Sequence, residues 1–298
     1  MTRTRTERLL VVGSAIVDLV LYVDAVPDPG GDVLARRSLT RVGGAFNVLA
    51  AAVAAGLPTA YVGLTGDGPF GTQVRAALTE AGVELVFPEP AATDSGFCVA
   101  LVDRAGERTF ATTVGAEGGL TTELLATVVP RETDAIYVSG YDLAYPHGQA
   151  IAEWVRGLGG ARTVLLDPGP LVAEIDADLL DRVLECVSWL SLNLREGVLL
   201  TSHAEPKAIA RTVFERAPAL EGVVIRDGAN GCDVFWAPEE GQHVPAPEVQ
   251  VVDSNGAGDV HVAAFLAALT AGHGPVGAAR AANDTAARAV TTFGPGGA

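Results

Sequence analysis

Apolar positions along the chain gather into short continuous runs of strand length, separated by stretches in which they return every three to four residues. Strands are expected at 9–12 and 60–64 and helices at 45–55 and 71–81. Further on, 135–138, 164–167, 189–192 and 223–226 read as strands, and 147–158 and 177–186 as helices. Repeated strand and helix alternation predicts a mostly parallel central sheet with helices on both faces, a three-layer α/β sandwich. Two segments break this rhythm. Residues 15–40 and 95–114 carry period-two alternation, and the second turns back as a hairpin at Arg104, Ala105 and Gly106. They predict a small β-sheet lid on a single domain spanning 1–298. A strand is expected to end at Asp253, and from Gly256 onward two alanine-rich helices meet near 272–275. No linker, low-complexity tract or internal repeat is apparent.

Composition narrows the chemistry. The 298 residues are 49% hydrophobic, enough for a large core, and 20 Lys and Arg stand against 36 Asp and Glu for a formal charge of −16. Such a field repels polyanions, which disfavours nucleic acid and anionic membrane as partners. Lys207 is the only lysine, and it lies outside any glycine-rich loop. That excludes a Walker A phosphate loop and a protein-kinase lysine, so a bound nucleotide phosphate must be held by backbone amides and arginine. Cys98, Cys186 and Cys232 form no CxxC pair, and the five histidines show no ligand spacing. Neither a disulfide framework nor a zinc site is suggested, and a reducing cytoplasm fits. Arginines precede an apolar run at the start, but Asp18 and Asp24 interrupt it and no small-residue cleavage site follows. No stretch reaches the roughly 18 apolar residues of a membrane helix. The expectation is a soluble, cytoplasmic protein.

Three glycine-rich elements carry candidate chemistry. Gly66-Asp67-Gly68-Pro69-Phe70-Gly71 matches GxGxxG between a strand and a helix, with Glu84 or Glu89 as the acidic residue further on. Pro69, however, removes an amide where pyrophosphate would sit, so a plain turn is the better reading. The second element, RVGGAFNVLAAAVAAGL at 41–57, places two glycines before a small-residue helix, with Asn47 near its start. The third, VVDSNGAGDVHVAAFLAAL at 251–269, is more informative. Gly256, Ala257 and Gly258 leave the amides of a helix N-terminus uncovered, which makes an anion site without lysine. Asp259 in the first turn either complements the helix dipole or serves as a general base beside a transferring phosphoryl group.

Taken together, these motifs resemble those of the PfkB family of carbohydrate kinases, also called the ribokinase family, over essentially the whole chain. GGAFN with its alanine-rich helix looks like the family's first signature and DSNGAGD like the second, with Ser254 where threonine is usual. GDGPFG looks like the family's turn after its next strand. Asn193 and Glu196 in SLNLREG resemble its NxxE motif, Gly228 and Gly231 in RDGANG its nucleotide-side glycine pair, and residues 293–296 its C-terminal loop. The resemblance implies a ribokinase-like fold and an ATP- and Mg²⁺-dependent transfer of the γ-phosphate to a sugar hydroxyl. It implies Asp259 as base and the amides of Gly256, Ala257 and Gly258 as anion hole, with Asn255 adjacent. Glu196 and Asn193 would arrange Mg²⁺ through water. Asp18, Gly43, Gly44 and Asn47 match positions that grip sugar hydroxyls. Family members often bind a monovalent cation, K⁺, which would involve Asp253 and Asn255.

Several flanking residues join the candidate set. Arg108 in the lid hairpin would reach a substrate anion, and Tyr141 would stack on the sugar. Arg226 and Asn283 are placed with the nucleotide-binding group. A monosaccharide or sugar acid is favoured over a nucleoside, because no aromatic pair suited to sandwiching a base is evident. A nucleoside kinase, a noncatalytic sugar-binding member and a nicotinamide-dependent oxidoreductase resting on 66–71 remain as alternatives. The lid edge offers a surface for pairing with a second copy.

Overall fold

The computed structural model describes residues 6–159 and 162–292. After β1 (Arg8–Val12) the chain leaves the body to build the lid strands β2 (Ala15–Tyr22) and β3 (Arg37–Gly44), and returns through α1 (Ala45–Ala54). There follow β4 (Thr59–Val62), α2 (Pro69–Glu80) and the two-residue β5 (Glu84–Leu85), then a second excursion into the lid as β6 (Phe97–Val102) and β7 (Arg108–Thr113). The middle of the chain adds α3 (Thr122–Ala126), β8 (Asp134–Ser139), α4 (Gly140–Leu143), α5 (Gly148–Gly157), β9 (Val164–Asp167) and α6 (Ala177–Leu184). β10 (Trp189–Asn193), α7 (Leu194–Thr201), α8 (Pro206–Arg216) and β11 (Gly222–Arg226) come next. An edge hairpin, β12 (Cys232–Ala237) and β13 (Glu240–Val244), precedes the closing helices α9 (Ala257–Thr270) and α10 (Pro275–Ala289).

Nine strands form the body sheet in the order β13-β12-β11-β10-β9-β8-β1-β4-β5, parallel from β11 to β5 and antiparallel in the terminal hairpin. Both faces are covered, as the continuous apolar runs require. On β1, Leu9 and Val11 pack with α1, α2, α9 and α10, while Leu10 and Val12 pack with α3, α5, α6 and α8. Alanines at 263, 264, 278, 279 and 282 let α9 and α10 approach the sheet and each other closely. The lid sheet, ordered β3-β2-β6-β7, is antiparallel apart from the β2–β6 pair. Its second hairpin turns at Arg104 and Ala105, as expected.

One expected element is absent. Residues 245–254 form no strand, although Val251 and Val252 look β-forming. The antiparallel hairpin has already ended the sheet on that side. Val252 and Asp253 instead donate their amides to the carbonyl of Val290 after α10, and both valines stay exposed against the lid. The three cysteines are free, with Cys98 and Cys232 buried and Cys186 half-buried. Among the described residues no helix is long and apolar enough to cross a membrane.

Candidate active site

In open α/β sheets, strand ends and helix starts gather at the carboxyl edge, where backbone polar groups and the positive ends of helices face outward. Here β9 ends on Asp167, β10 on Asn193 and β11 on Arg226. Asn193 caps α7 and Glu196 closes the capping box: Glu196 Oε2 accepts from Asn193 N at 2.7 Å and Oε1 from Asn193 Nδ2 at 2.7 Å. The Arg226 guanidinium donates to Asp167 Oδ2 at 3.0 Å and lies 3.5 Å from Glu196 Oε2. It also packs on the start of α9, since a Cβ on Gly258 would stand 2.4 Å from Arg226 Nη1. A side chain at this position would displace the guanidinium.

The start of α9 has the form its sequence suggests. Gly256 is the N-cap in the left-handed region at φ 72°, and no side chain caps the first turn. The Ala257 amide, however, turns back to the Ser254 carbonyl at 3.3 Å, so of the three amides expected in the anion turn this one already has a partner. Asp259 sits in that first turn, and its Oδ2 accepts from Asn47 Nδ2 at 2.9 Å. Asn47, buried in α1, has its other amide atom, Oδ1, without a hydrogen-bond partner. Residues 212 positions apart in sequence thus meet at the junction of the two glycine-rich signatures.

Three carboxylates, Asp167, Glu196 and Asp259, surround the single Arg226 cation. Desolvation pushes Asp259 up to about 7, and the Asp167 charge adds to the shift while Asn47 and Arg226 oppose it. Glu196 is pushed up to about 7 by desolvation and by Asp167, against Arg226 and the Asn193 amide. Burial also raises Asp167.

Across the sheet edge, the lid faces the segment 251–255 over a cleft of about 450 Å³, lined among others by Asp18, Arg41, Arg108, Phe110 and Asn255. Gly43 makes room for the Asp18 carboxylate, as its Cβ would stand 2.3 Å from Asp18 Oδ2. Burial raises Asp18, and Arg41, its cross-strand neighbour at 3.7 Å, offsets part of the rise. Gly44, at φ 62°, packs on the Ser14 carbonyl and caps α1. Arg108 at the start of β7 donates to Asp253 Oδ1 at 3.0 Å and Asn255 Oδ1 at 3.2 Å, and Arg41 lies 3.6 Å from Asp253 Oδ2. Tyr141 in α4 is 44% exposed and lies against Gly169. Its phenol is raised by burial and by the nearby Asp259.

The remaining sequence candidates divide. Gly228 and Gly231 shape the tight turn between β11 and β12, with positive φ at both. Asn283 is drawn into packing: its Nδ2 donates to the Val244 and Pro245 carbonyls and its Oδ1 meets His261 Nε2, which ties α10 to the end of β13. Residues 293–296 lie outside the described residues. The GxGxxG match is a structural turn. The Asp94 carboxylate accepts from Phe70 N at 3.1 Å and Gly71 N at 2.7 Å, occupying amides that a pyrophosphate would need. Asp167 and Arg41 were not singled out from sequence. The signal for Asp167 is its place at the end of an apolar run, the position that Asn193 and Arg226 also hold. Arg41 has none beyond its neighbouring glycines.

Comparison with known proteins agrees with this geometry. The model of the pfkB family carbohydrate kinases matches residues 6–298. An uncharacterized sugar kinase, YegV, of Escherichia coli is 31% identical over 274 residues, covering 90% of this chain and 84% of its own. Ribokinase of Bacillus subtilis is 26% identical over 97% of this chain and 94% of its own. Among solved structures, a ribokinase from Thermotoga maritima superposes with a TM-score of 0.81 at 22% identity, covering 96% of this chain and 94% of that one. Adenosine kinase from Sinorhizobium meliloti superposes with a TM-score of 0.80 at 21% identity, covering 98% and 96%. The fold is that of the ribokinase-like kinases. The chain belongs to the PfkB family of carbohydrate kinases, and is a sugar or nucleoside kinase of that family.

Proposed function

We propose that this protein transfers the γ-phosphate of ATP to a hydroxyl of a monosaccharide, sugar acid or related small polyol. The observation that carries the reading is Asp259, a carboxylate poised near 7 in the first turn of an uncapped helix and aligned by Asn47. A base with that proton affinity takes a hydroxyl proton at neutral pH without holding it too tightly. The free amides at Gly256 and Gly258, the helix dipole and the Arg226 guanidinium stabilise negative charge on the transferring group. Asp18, Gly43, Gly44 and Asn47 hold the acceptor's hydroxyls, Tyr141 covers it and Arg108 closes the lid end of the cleft. Asn193, Arg226, Gly228, Gly231 and Asn255 form the nucleotide side. Asn283 supports that side from beneath by fixing the end of β13.

The donor set suits Mg²⁺ held through water. Both Glu196 oxygens are engaged by Asn193, and among the described residues no cluster of three acidic, histidine or cysteine ligands forms a direct cage. Mg²⁺ keeps much of its water and takes its remaining ligands from phosphate, and bound there with ATP it would neutralise phosphate charge. Asp253 fits K⁺ less well, because Arg41 and Arg108 already supply positive charge to its carboxylate.

The test is purified protein with ATP and Mg²⁺ against sugars, sugar acids and nucleosides, beside Asp259→Asn. Turnover of at least one sugar or sugar acid is expected, with a loss of about 10²- to 10⁴-fold in the variant and acceptor binding retained. Equal activity in both proteins would remove Asp259 as the base, and turnover of nucleosides alone would reassign the acceptor. Pairing of two copies along the exposed lid edge predicts twice the 30.5 kDa chain mass in light scattering. A monomer would exclude it.

A further inference from the structure

The lid joins the body at four chain crossings: into β2 near Ser14, out of β3 at Gly44, into β6 at Gly96 and out of β7 at Gly115. These crossings pack backbone to backbone in two pairs. A Cβ on Gly44 would stand 2.3 Å from the Ser14 carbonyl oxygen, and one on Gly115 would stand 2.3 Å from Gly96 N. Each pair closes on a carboxylate that is only 1% exposed. Asp142 accepts from Ser14 N at 3.1 Å through Oδ2 and from the Ser14 hydroxyl through Oδ1. The Ser14 carbonyl then accepts from Ala45 N at 2.9 Å, the first residue of α1, so the first two crossings are tied together. Glu117 accepts from Gly96 N at 2.9 Å and from Gly115 N at 2.7 Å, one through each oxygen, and so ties the other two.

His147 lies between the two ties. Its Nε2 donates to Asp142 Oδ1 at 2.9 Å, and its Nδ1, buried and without a hydrogen-bond partner, faces the turn that carries Glu117. A Cβ on Gly118 would be 4.0 Å from that nitrogen. Among the described residues neither carboxylate pairs with a lysine or arginine. Burying a charge at such cost, held only by backbone amides, a hydroxyl and an imidazole, needs a reason beyond stability. Nothing in the proposed phosphoryl transfer uses these groups.

We propose that Asp142 and Glu117 are positioning residues of the lid, each clamping one pair of crossings, and that His147 couples the clamps so that the lid moves as one body. The first clamp also reaches the reacting centre. Ala45 opens the helix that brings Asn47 to Asp259, so release of Ser14 would shift the residue that aligns Asp259. The coupling stands apart from the kinase reading, whereas its effect on turnover rests on it.

The decisive measurement is amide hydrogen exchange on the ligand-free full chain. In Glu117→Gln one accepting oxygen becomes an NH₂ facing a backbone N–H, so one clamp bond is lost. Exchange is expected to quicken about tenfold or more at Gly96 and Gly115 and also at Ser14 and Ala45, with β8 to β11 unchanged. In a His147→Phe background the same substitution should act on its own pair alone. Effects confined to one pair in the presence of His147, or spread evenly through the body sheet, would overturn the coupling. Should Glu117→Gln fail to fold, Ser14→Ala loosens the Asp142 clamp by a single bond, and the distant pair near Gly96 is then read in the same way. With the acceptor identified by the assay above, Glu117→Gln should raise its KM about tenfold and leave the KM for ATP within about twofold. Equal changes in both would refute a role in lid positioning. If no acceptor is turned over, the kinase reading falls and the exchange experiment still decides the coupling.

Discussion

A carboxylate loses its charge most readily where water is stripped away and cations are too few, and Asp259 and Glu196 share both conditions. Two expectations follow at the scale of the residue. Asp259 must be ionised to accept a proton, so kcat/KM should climb with pH and level off above about 7. Asn47→Ala removes a donor that favours the charged form and should move this limb to higher pH, as a pH–rate profile of the variant would show. Stability runs the other way. Between the ordinary value of 3.8 and about 7 the native state keeps a proton that the unfolded chain has released, so stability falls as pH rises through that window. Asp259→Asn should therefore raise the midpoint of thermal unfolding at pH 8 while lowering turnover about 10²- to 10⁴-fold. Asp259, Asn47 and Glu196 were legible because their motifs are local. Asp142, Glu117 and Asp167 were not, because a buried carboxylate looks in sequence like any exposed one until its distant partners, 128, 21 and 59 positions away, are placed around it. His261 shows the converse: burial lowers it to about 3, and its Nε2 meets Asn283 Oδ1 as a packing residue.

Among the elements, the parallel strands were found because burial on both faces leaves them continuously apolar, and most helices because one stripe must face the sheet. The edge hairpin β12–β13 escaped notice, since its outer strand is polar and exposed at Glu240, Gly241, Gln242 and His243. The false strand before Asp253 has the complementary cause: Val251 and Val252 carry β-type side chains but meet the lid rather than a sheet partner. α2 shows how an element can imitate a function. Its first-turn amides point outward as in a dinucleotide site, yet a carboxylate from 23 positions on already holds them. Asp94→Ala should cost about 1 kcal/mol in denaturant unfolding, as loss of a helix cap does, without creating affinity for a nicotinamide cofactor. At the start of α9, Gly258→Ala would drive a methyl group into the Arg226 guanidinium. Overpacking of this kind costs about 1–3 kcal/mol, and the variant should lose turnover more steeply than stability.

For the molecule as a whole, a charge of −16 and a cleft edged with arginine coexist because the cations are distributed by task. Arg41 and Arg108, from the two outer strands of the lid, both reach Asp253 just before the start of α9, so the lid and the turn that opens that helix share a fastening. Lys207 belongs to neither. It lies on α8 in an exposed pair with Glu239, and Lys207→Met should leave turnover and unfolding unchanged. Because the chain has no second lysine, it carries a single ε-amine, on the rigid body and away from the lid hinges. Once the more acidic, and so more readily deprotonated, α-amino group has been blocked near neutral pH, amine-directed coupling would therefore place one fluorophore or one surface tether on each molecule. That gives a fixed reference point on the body from which the travel of the lid can be measured by energy transfer to a dye on a cysteine introduced at Ala105, with the half-buried Cys186 replaced by serine.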